Sequence, residues 1–219
     1  MSRRKTRKFN DNDRRSNVIQ PGKPLFDTIK GHWREDYFGN SGNLVLELAC
    51  GRGEYTVGLA RVFKDKNFIG IDIKGDRIWK GSTIAEAEHL SNVAFLRTQI
   101  QLLEDFFGPG EVDEIWLVFP DPRPKGRDEH RRLTHHRFLD IYKEILKPGG
   151  LIHLKTDNSI LFDYSLEVIP KFADVKDLKW TADLYQSEFL PLHQGITTRY
   201  ELMFHGQGET IKYLQFRMG

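Results

Sequence analysis

Short apolar runs separated by segments of helical period set the outline of the chain. Leu44–Leu48, Phe68–Asp72, Val93–Leu96, Ile115–Phe119 and Leu151–Lys155 are compact apolar stretches of strand length. Between them, Tyr55–Phe63, Arg77–Leu90, Arg137–Leu146 and roughly Ile160–Phe172 carry apolar residues at helical spacing. Strands that alternate with helices form βαβ units, which predicts a parallel sheet covered on both faces. The C-terminal part breaks this rhythm. Thr181–Tyr185, Tyr200–His205 and Lys212–Arg217 read as strands. Gly206-Gln207-Gly208 between the last two predicts an antiparallel hairpin closing the sheet. Residues 1–20 are polar, charged and nearly free of apolar side chains, so they are expected to form a disordered arm ahead of a single domain at 21–219.

Charge adds a partner class to this outline. The 219 residues carry a net charge of only +2, with 29% charged and 39% hydrophobic residues, the balance of a globular protein. Residues 1–15 alone hold a net +5 and residues 123–137 a net +4, which leaves −7 for everything else. Either block by itself reads equally well as a solvated tail or a charged helix start. Together they point to a polyanionic partner such as nucleic acid. No run approaches the ~18 apolar residues of a membrane helix, and the basic N-terminus has no apolar stretch behind it. One cysteine, Cys50, excludes an internal disulfide framework and a multi-cysteine zinc site, and makes a cytoplasmic setting the default expectation. His130, His135 and His136 lack the carboxylate or cysteine cluster that would complete a metal site, so no metal is expected.

The first apolar run leads into Glu47-Leu48-Ala49-Cys50-Gly51-Arg52-Gly53. Parallel sheets bind ligands at the carboxyl ends of their strands, where glycines let the backbone turn tightly and approach the ligand. Nineteen residues beyond Gly53, Asp72 ends the next run, placed to accept hydrogen bonds from two ribose hydroxyls. Thr56 stands where a dinucleotide-binding turn has its third glycine, and Glu47 would repel a diphosphate. The segment resembles the Glu/Asp-x-Gly-x-Gly-x-Gly motif of class I methyltransferases, with Ala49 in place of the first glycine. That resemblance implies a Rossmann-like class I methyltransferase fold, a mostly parallel seven-stranded sheet with a C-terminal antiparallel hairpin. It also implies S-adenosylmethionine as cofactor, its cationic amino end facing Glu47. Thr98-Gln99-Ile100 stands where such enzymes bind adenine, and the Gln99 amide oxygen can accept from the adenine amino group. Gly51, Gly53, Asp72, Gln99, Ile100 and Asp121 complete the expected cofactor set with Glu47.

After the fourth run comes Phe119-Pro120-Asp121-Pro122-Arg123-Pro124-Lys125-Gly126-Arg127, followed by Arg131-Arg132-Leu133. Three prolines forbid helix there and hold Asp121 at the lip of the sheet. The stretch resembles that of the tRNA (guanine-N7-)-methyltransferase family, which reads Pro-Asp-Pro-Trp-Pro-Lys and carries a later Arg-Arg-Leu. Arg123 replaces the usual tryptophan. Lys147-Pro148-Gly149-Gly150, His153 through Asp157 and Thr198-Arg199-Tyr200-Glu201 extend the likeness over about residues 40–217. The resemblance implies methyl transfer to N7 of a guanine in tRNA, with Asp121 as the catalytic carboxylate. It implies substrate contacts from Lys125, Asp157, Thr198, Arg199, Tyr200 and Glu201. Arg127, Arg131 and Arg132 would bind tRNA phosphates, and Arg123 would either stack on a base or add a phosphate contact. Asp157 reads alternatively as a helix cap, and Glu201 as a plain strand residue. Two other functions stay open at this level: a class I methyltransferase for a protein or small-molecule acceptor, and an RNA-binding module that has lost catalysis.

Overall fold

In the computed structural model, residues 3–219 are described, with side chains from residue 5 onward. The strands are β1 (Val18–Ile19), β2 (Asn43–Leu48), β3 (Lys66–Ile71), β4 (Val93–Leu96), β5 (Val112–Val118), β6 (Leu146–Thr156), β7 (Val175–Thr181) and β8 (Lys212–Met218). They form one sheet in the order β1-β4-β3-β2-β5-β6-β8-β7. All pairings are parallel except those of β8, which runs antiparallel to both β6 and β7. The fold is the expected α/β architecture, with eight strands in place of seven because β1 adds a short edge beside β4.

Side-chain alternation along each strand divides the core in two. Leu44, Leu46, Leu48, Ile69, Ile71, Ile115, Leu117, Ile152 and Leu154 face one layer, which also holds Phe138 and Tyr142 of α4 (His136–Ile145) and Leu161 of α5 (Ser159–Val168). Val45, Phe68, Trp116, Val118 and Tyr213 face the other, with Tyr55, Val57 and Leu59 of α2 (Glu54–Val62) and Ile78 of α3 (Gly75–Ala87). Each such buried aliphatic side chain contributes about 1.5–3 kcal/mol relative to exposure. β2 sits between β3 and β5, so chain order reverses there and the carboxyl ends of these strands border one crevice. Among the described residues, no helix is long and apolar enough to cross a membrane.

Two expectations need correction. Residues 3–20 are not a disordered arm (residues 1 and 2 lie outside the described residues): Arg3–Arg14 form α1 and β1 follows. α1 packs along α3 through polar contacts. The Asn12 amide, fully buried, donates to Gly75 O at 2.8 Å; Trp79 Nε1 donates to Asp11 at 2.9 Å; and Arg15 reaches Trp79 O at 3.1 Å. The second correction concerns the tail. Tyr200–His205 is not a strand but lies in α6 (Arg199–Gly206), and the antiparallel hairpin partner of β8 is β7. Thr181 ends β7, and the next residues turn into a short 3-10 segment at Leu184–Gln186. The reason is local: Thr198 caps α6 by accepting from Glu201 N, while the Glu201 carboxylate reaches back to Thr198 N. This reciprocal capping box starts a helix that alternating apolar residues alone do not announce.

Candidate active site

The turn after β2 is built on left-handed backbone. Ala49, Gly51 and Gly53 have φ of 57°, 55° and 67°. At Gly51 that conformation carries little strain, whereas at Ala49 an L side chain makes it unfavourable by about 1–2 kcal/mol. Replacement of the motif's first glycine is thus a conformational departure as well as a steric one. Gly53 serves packing: a Cβ there would lie 2.5 Å from the Phe95 ring. It lies behind the cleft rather than on its wall. Cys50 is buried in the same turn, and burial raises its thiol well above the ordinary range, which suits a packed residue rather than a nucleophile.

A cleft of about 1490 Å³ opens over the carboxyl ends of β2–β6. Glu47, Gly51, Asp72, Gln99, Ile100, Asp121, Arg123, Arg131, Asp157, Thr198, Arg199 and Tyr200 all line it. Glu47 is buried, and its carboxylate accepts from Thr56 N at 2.7 Å and from the Thr56 hydroxyl. Burial outweighs those bonds and pushes its carboxyl up to about 8. A buried carboxyl so poised gains most from a cationic ligand. Asp72 accepts from Gly51 N at 3.0 Å and Lys74 N at 2.8 Å, one bond to each oxygen. Its remaining lone pairs are free for hydroxyl donors. These residues fit the amino end and the ribose of an adenosyl sulfonium cofactor.

Asp121 stands at the opposite lip with its side chain 59% exposed. Its carboxylate accepts from Arg123 N at 3.2 Å and pairs with the Arg123 guanidinium at 3.2 Å. Phe119 and Arg123, on either side, both have left-handed φ (48° and 47°). Such strain at non-glycine residues gathers at functional sites. Arg123 therefore folds back on Asp121 instead of projecting outward. Asp157 lines the same cleft beyond β6, and burial raises its carboxyl above the ordinary range. It does not cap α5; Asn158 does, accepting from Leu161 N at 2.9 Å.

Several predicted residues stand elsewhere. Lys125 and Arg127 are exposed but do not line the cleft. Arg132 is buried: its guanidinium lies 4.3 Å above the Tyr164 ring and its Nε donates to Arg123 O at 3.2 Å. It braces the loop and is only 7% exposed. Arg131 is exposed, lines the cleft and pairs at 3.4 Å with Asp128. Glu201, expected at the substrate, is fully buried and does not line the cleft. Sequence reading missed the cationic wall that α1, α3 and the turn before α3 bring to the Asp72 end of the cleft, where Arg7, Lys8, Lys74, Arg77 and Lys80 border it with Trp79. The dense basic charge of residues 1–15 was its only signal.

Comparison with known proteins fits this geometry. Residues 41–214 match the family described as "Putative methyltransferase". The chain is 47% identical to the tRNA (guanine-N(7)-)-methyltransferase of Cytophaga hutchinsonii over 217 residues, 99% of this chain and 98% of the relative. It is 45% identical to that of Christiangramia forsetii, with 99% of each covered. Among solved structures, the 16S rRNA methyltransferase KamB superposes with a TM-score of 0.65 at 16% identity, covering 93% of this chain and 99% of that one, a likeness of fold. With a buried carboxylate at the head of a glycine turn, an exposed one across the cleft and near-complete coverage by these relatives, the chain belongs to the tRNA (guanine-N(7)-)-methyltransferase family.

Proposed function

We propose that the protein transfers the methyl group of S-adenosylmethionine to N7 of a guanine in tRNA, at position forty-six of the variable loop, in the cytoplasm where tRNA is available. The observation that carries this reading is the pairing of two unlike carboxylates across one cleft. Glu47 is buried and poised to neutralise a cation, whereas Asp121 is exposed and poised to meet a substrate.

S-adenosylmethionine supplies an electrophilic methyl on a sulfonium sulfur. Glu47 would hold the cofactor's ammonium, Asp72 its ribose hydroxyls, and Gln99 with Ile100 its adenine. Guanine N7 presents an in-plane lone pair, so no proton leaves before attack. The protein's task is to hold N7 in line with the methyl, and orientation carries most of the rate. Transfer would form the N7–methyl bond as the sulfur–methyl bond breaks, leaving a neutral thioether, S-adenosylhomocysteine, and passing the positive charge onto the purine. The Asp121 carboxylate would stabilise that charge once the Arg123 guanidinium that pairs with it is displaced. Asp157, Thr198, Arg199 and Tyr200, which line the cleft, would form the wall around the base, while Arg131 and the α1–α3 cations would meet phosphates.

The test uses unmodified tRNA transcript, S-adenosylmethionine and the full chain, followed by borohydride reduction and aniline cleavage, which breaks the strand at N7-methylguanosine. Cleavage at the variable-loop guanine is expected. Its absence, or cleavage at another base, would overturn the assignment.

A further inference from the structure

The segment from Leu184 to Gly206 carries one wall of the cleft, yet it holds only two short 3-10 turns, Leu184–Gln186 and Leu190–His193, before α6. It covers the sheet face next to α2, and its outer side is open: Leu190, Leu192, Leu202 and Met203 are all exposed. Beneath it lies a cluster of buried polar groups. Lys155, near the end of β6, is 1% exposed and Glu201 is 0% exposed, and their charged atoms meet at 2.7 Å. The same Glu201 Oε1 accepts from Tyr185 OH at 3.0 Å and lies 2.9 Å from His193 Nε2. Oε2 receives Thr198 N at 3.4 Å. The Lys155 ammonium also sits 5.3 Å from the centre of the Tyr55 ring on α2.

We infer that Glu201 is a positioning residue rather than a ligand of the substrate, and that its buried pair with Lys155 clamps the Thr198–Tyr200 lip in place over the cleft. The inference rests on the proposed reading of that cleft as the guanine site. Four protein groups already surround the carboxylate, three of them at Oε1, and it is fully buried away from the cleft wall, so a base in the cleft does not meet it. Burying two charges costs several kcal/mol per ion before their attraction repays it, and an apolar pair would hold the fold as well. What an ion pair adds is direction. Lys155 stands two residues before Asp157 at the end of β6, so the clamp fixes the lip relative to that carboxylate, which lines the same cleft. On its other side the lip is tied to the cofactor turn, where Arg199 N donates to Glu54 at 2.8 Å. Burial lowers the Lys155 ammonium, and it also opposes ionisation of Glu201. His193 and Lys155 outweigh that opposition and hold the Glu201 carboxyl below its ordinary value.

The test compares Lys155→Met, Glu201→Met and the double variant Lys155→Met/Glu201→Met. Each single change strands one buried charge or its partners, whereas the double change removes both charges and leaves Tyr185 and His193 paired at 3.2 Å. Each single variant is expected to lose at least about tenfold in kcat/KM for tRNA, with S-adenosylmethionine affinity by calorimetry changed far less. The double variant is expected to recover most of that loss. Amide hydrogen exchange at residues 198–204 should rise in the singles and return in the double. If the double variant is folded by thermal unfolding but as inactive as Glu201→Met, Glu201 acts on the substrate itself and the inference fails. It also fails if the single changes leave both exchange and kcat/KM unaltered. Exchange reads the lip without tRNA, so an unmodified parent reaction would overturn the proposed function and leave this measurement standing.

Discussion

The two walls of the cleft hold their carboxylates in different ways. On the cofactor side, Asp72 is fixed by two backbone N–H groups and Glu47 by the backbone and hydroxyl of Thr56, all within elements that pack into the sheet. On the substrate side, Asp121 is restrained by its own turn and by an arginine two residues away, and most of its side chain is in water. The first arrangement suits a small ligand bound the same way in every cycle. The second leaves a charge that a large substrate can engage by displacing a weak partner. Exposed ion pairs are worth about 0–1 kcal/mol, so Arg123 is readily exchanged for a developing positive charge.

The largest expected effect breaks this contrast at the substrate wall. Asp121→Ala should lower kcat by about 10²–10³-fold while leaving S-adenosylmethionine affinity nearly unchanged. Single-turnover rates and calorimetry check this, and an equal fall in both would move Asp121 into the cofactor site. At the opposite wall, Glu47→Gln should weaken cofactor binding by about thirtyfold, the equivalent of ~2 kcal/mol for a buried charge contact. Here kcat at saturating cofactor should change little, and a fall in kcat alone would contradict the assignment.

Glu47 also sharpens the comparison through pH. Its carboxyl titrates near 8 in the free cleft, so it is protonated at neutral pH and must lose that proton to face an ammonium. Cofactor binding should therefore release a proton and tighten as pH rises toward 8, by up to about tenfold per unit. Calorimetry in buffers of different ionisation heat measures the proton directly. The same slope in Glu47→Gln would show that another group is responsible. Linkage to folding runs in the opposite sense: a raised folded value means the stability contributed by neutral Glu47 is full at low pH and is lost as pH rises through about 8.

The smallest effect separates two neighbouring arginines. Arg131→Ala should reduce the slope of log affinity for tRNA against log salt by about one phosphate contact. Arg132→Ala should leave that slope unchanged and lower the melting temperature instead, because its guanidinium braces Tyr164 and the Arg123 carbonyl. Matching salt slopes for the two variants would erase the distinction.

Much of the wall that holds Glu47 and Asp72 was legible in the chain because it depends on local rules. Strand-length apolar runs, a glycine turn and an acidic residue at the end of the next strand put Glu47 and Asp72 at adjacent carboxyl ends, and β2 and β3 pair as that reading requires. The substrate wall was less legible. Thr198-Arg199-Tyr200-Glu201 carries a capping-box pattern that marks a helix start, but its alternating aromatic and apolar neighbours imitate a strand. α1 was unreadable for a related reason: it docks through Asn12, Asp11 and Arg15, and no hydrophobic period marks such contacts.

The sequence by itself determined the alternation of strands and helices, the turn after β2, the position of Asp121 among three prolines and the family likeness. Each follows from backbone preferences and spacing within a few dozen residues. Only the tertiary structure decided which charges face the cleft. Arg131 and Arg132 are neighbours of one type, yet one lines the cleft and the other is buried against Tyr164. Glu201 lies one residue beyond Tyr200, yet it is sealed against Lys155 while Tyr200 stays at the opening. Burial and ion pairing arise between segments distant along the chain, and no local pattern of residues records where those segments meet.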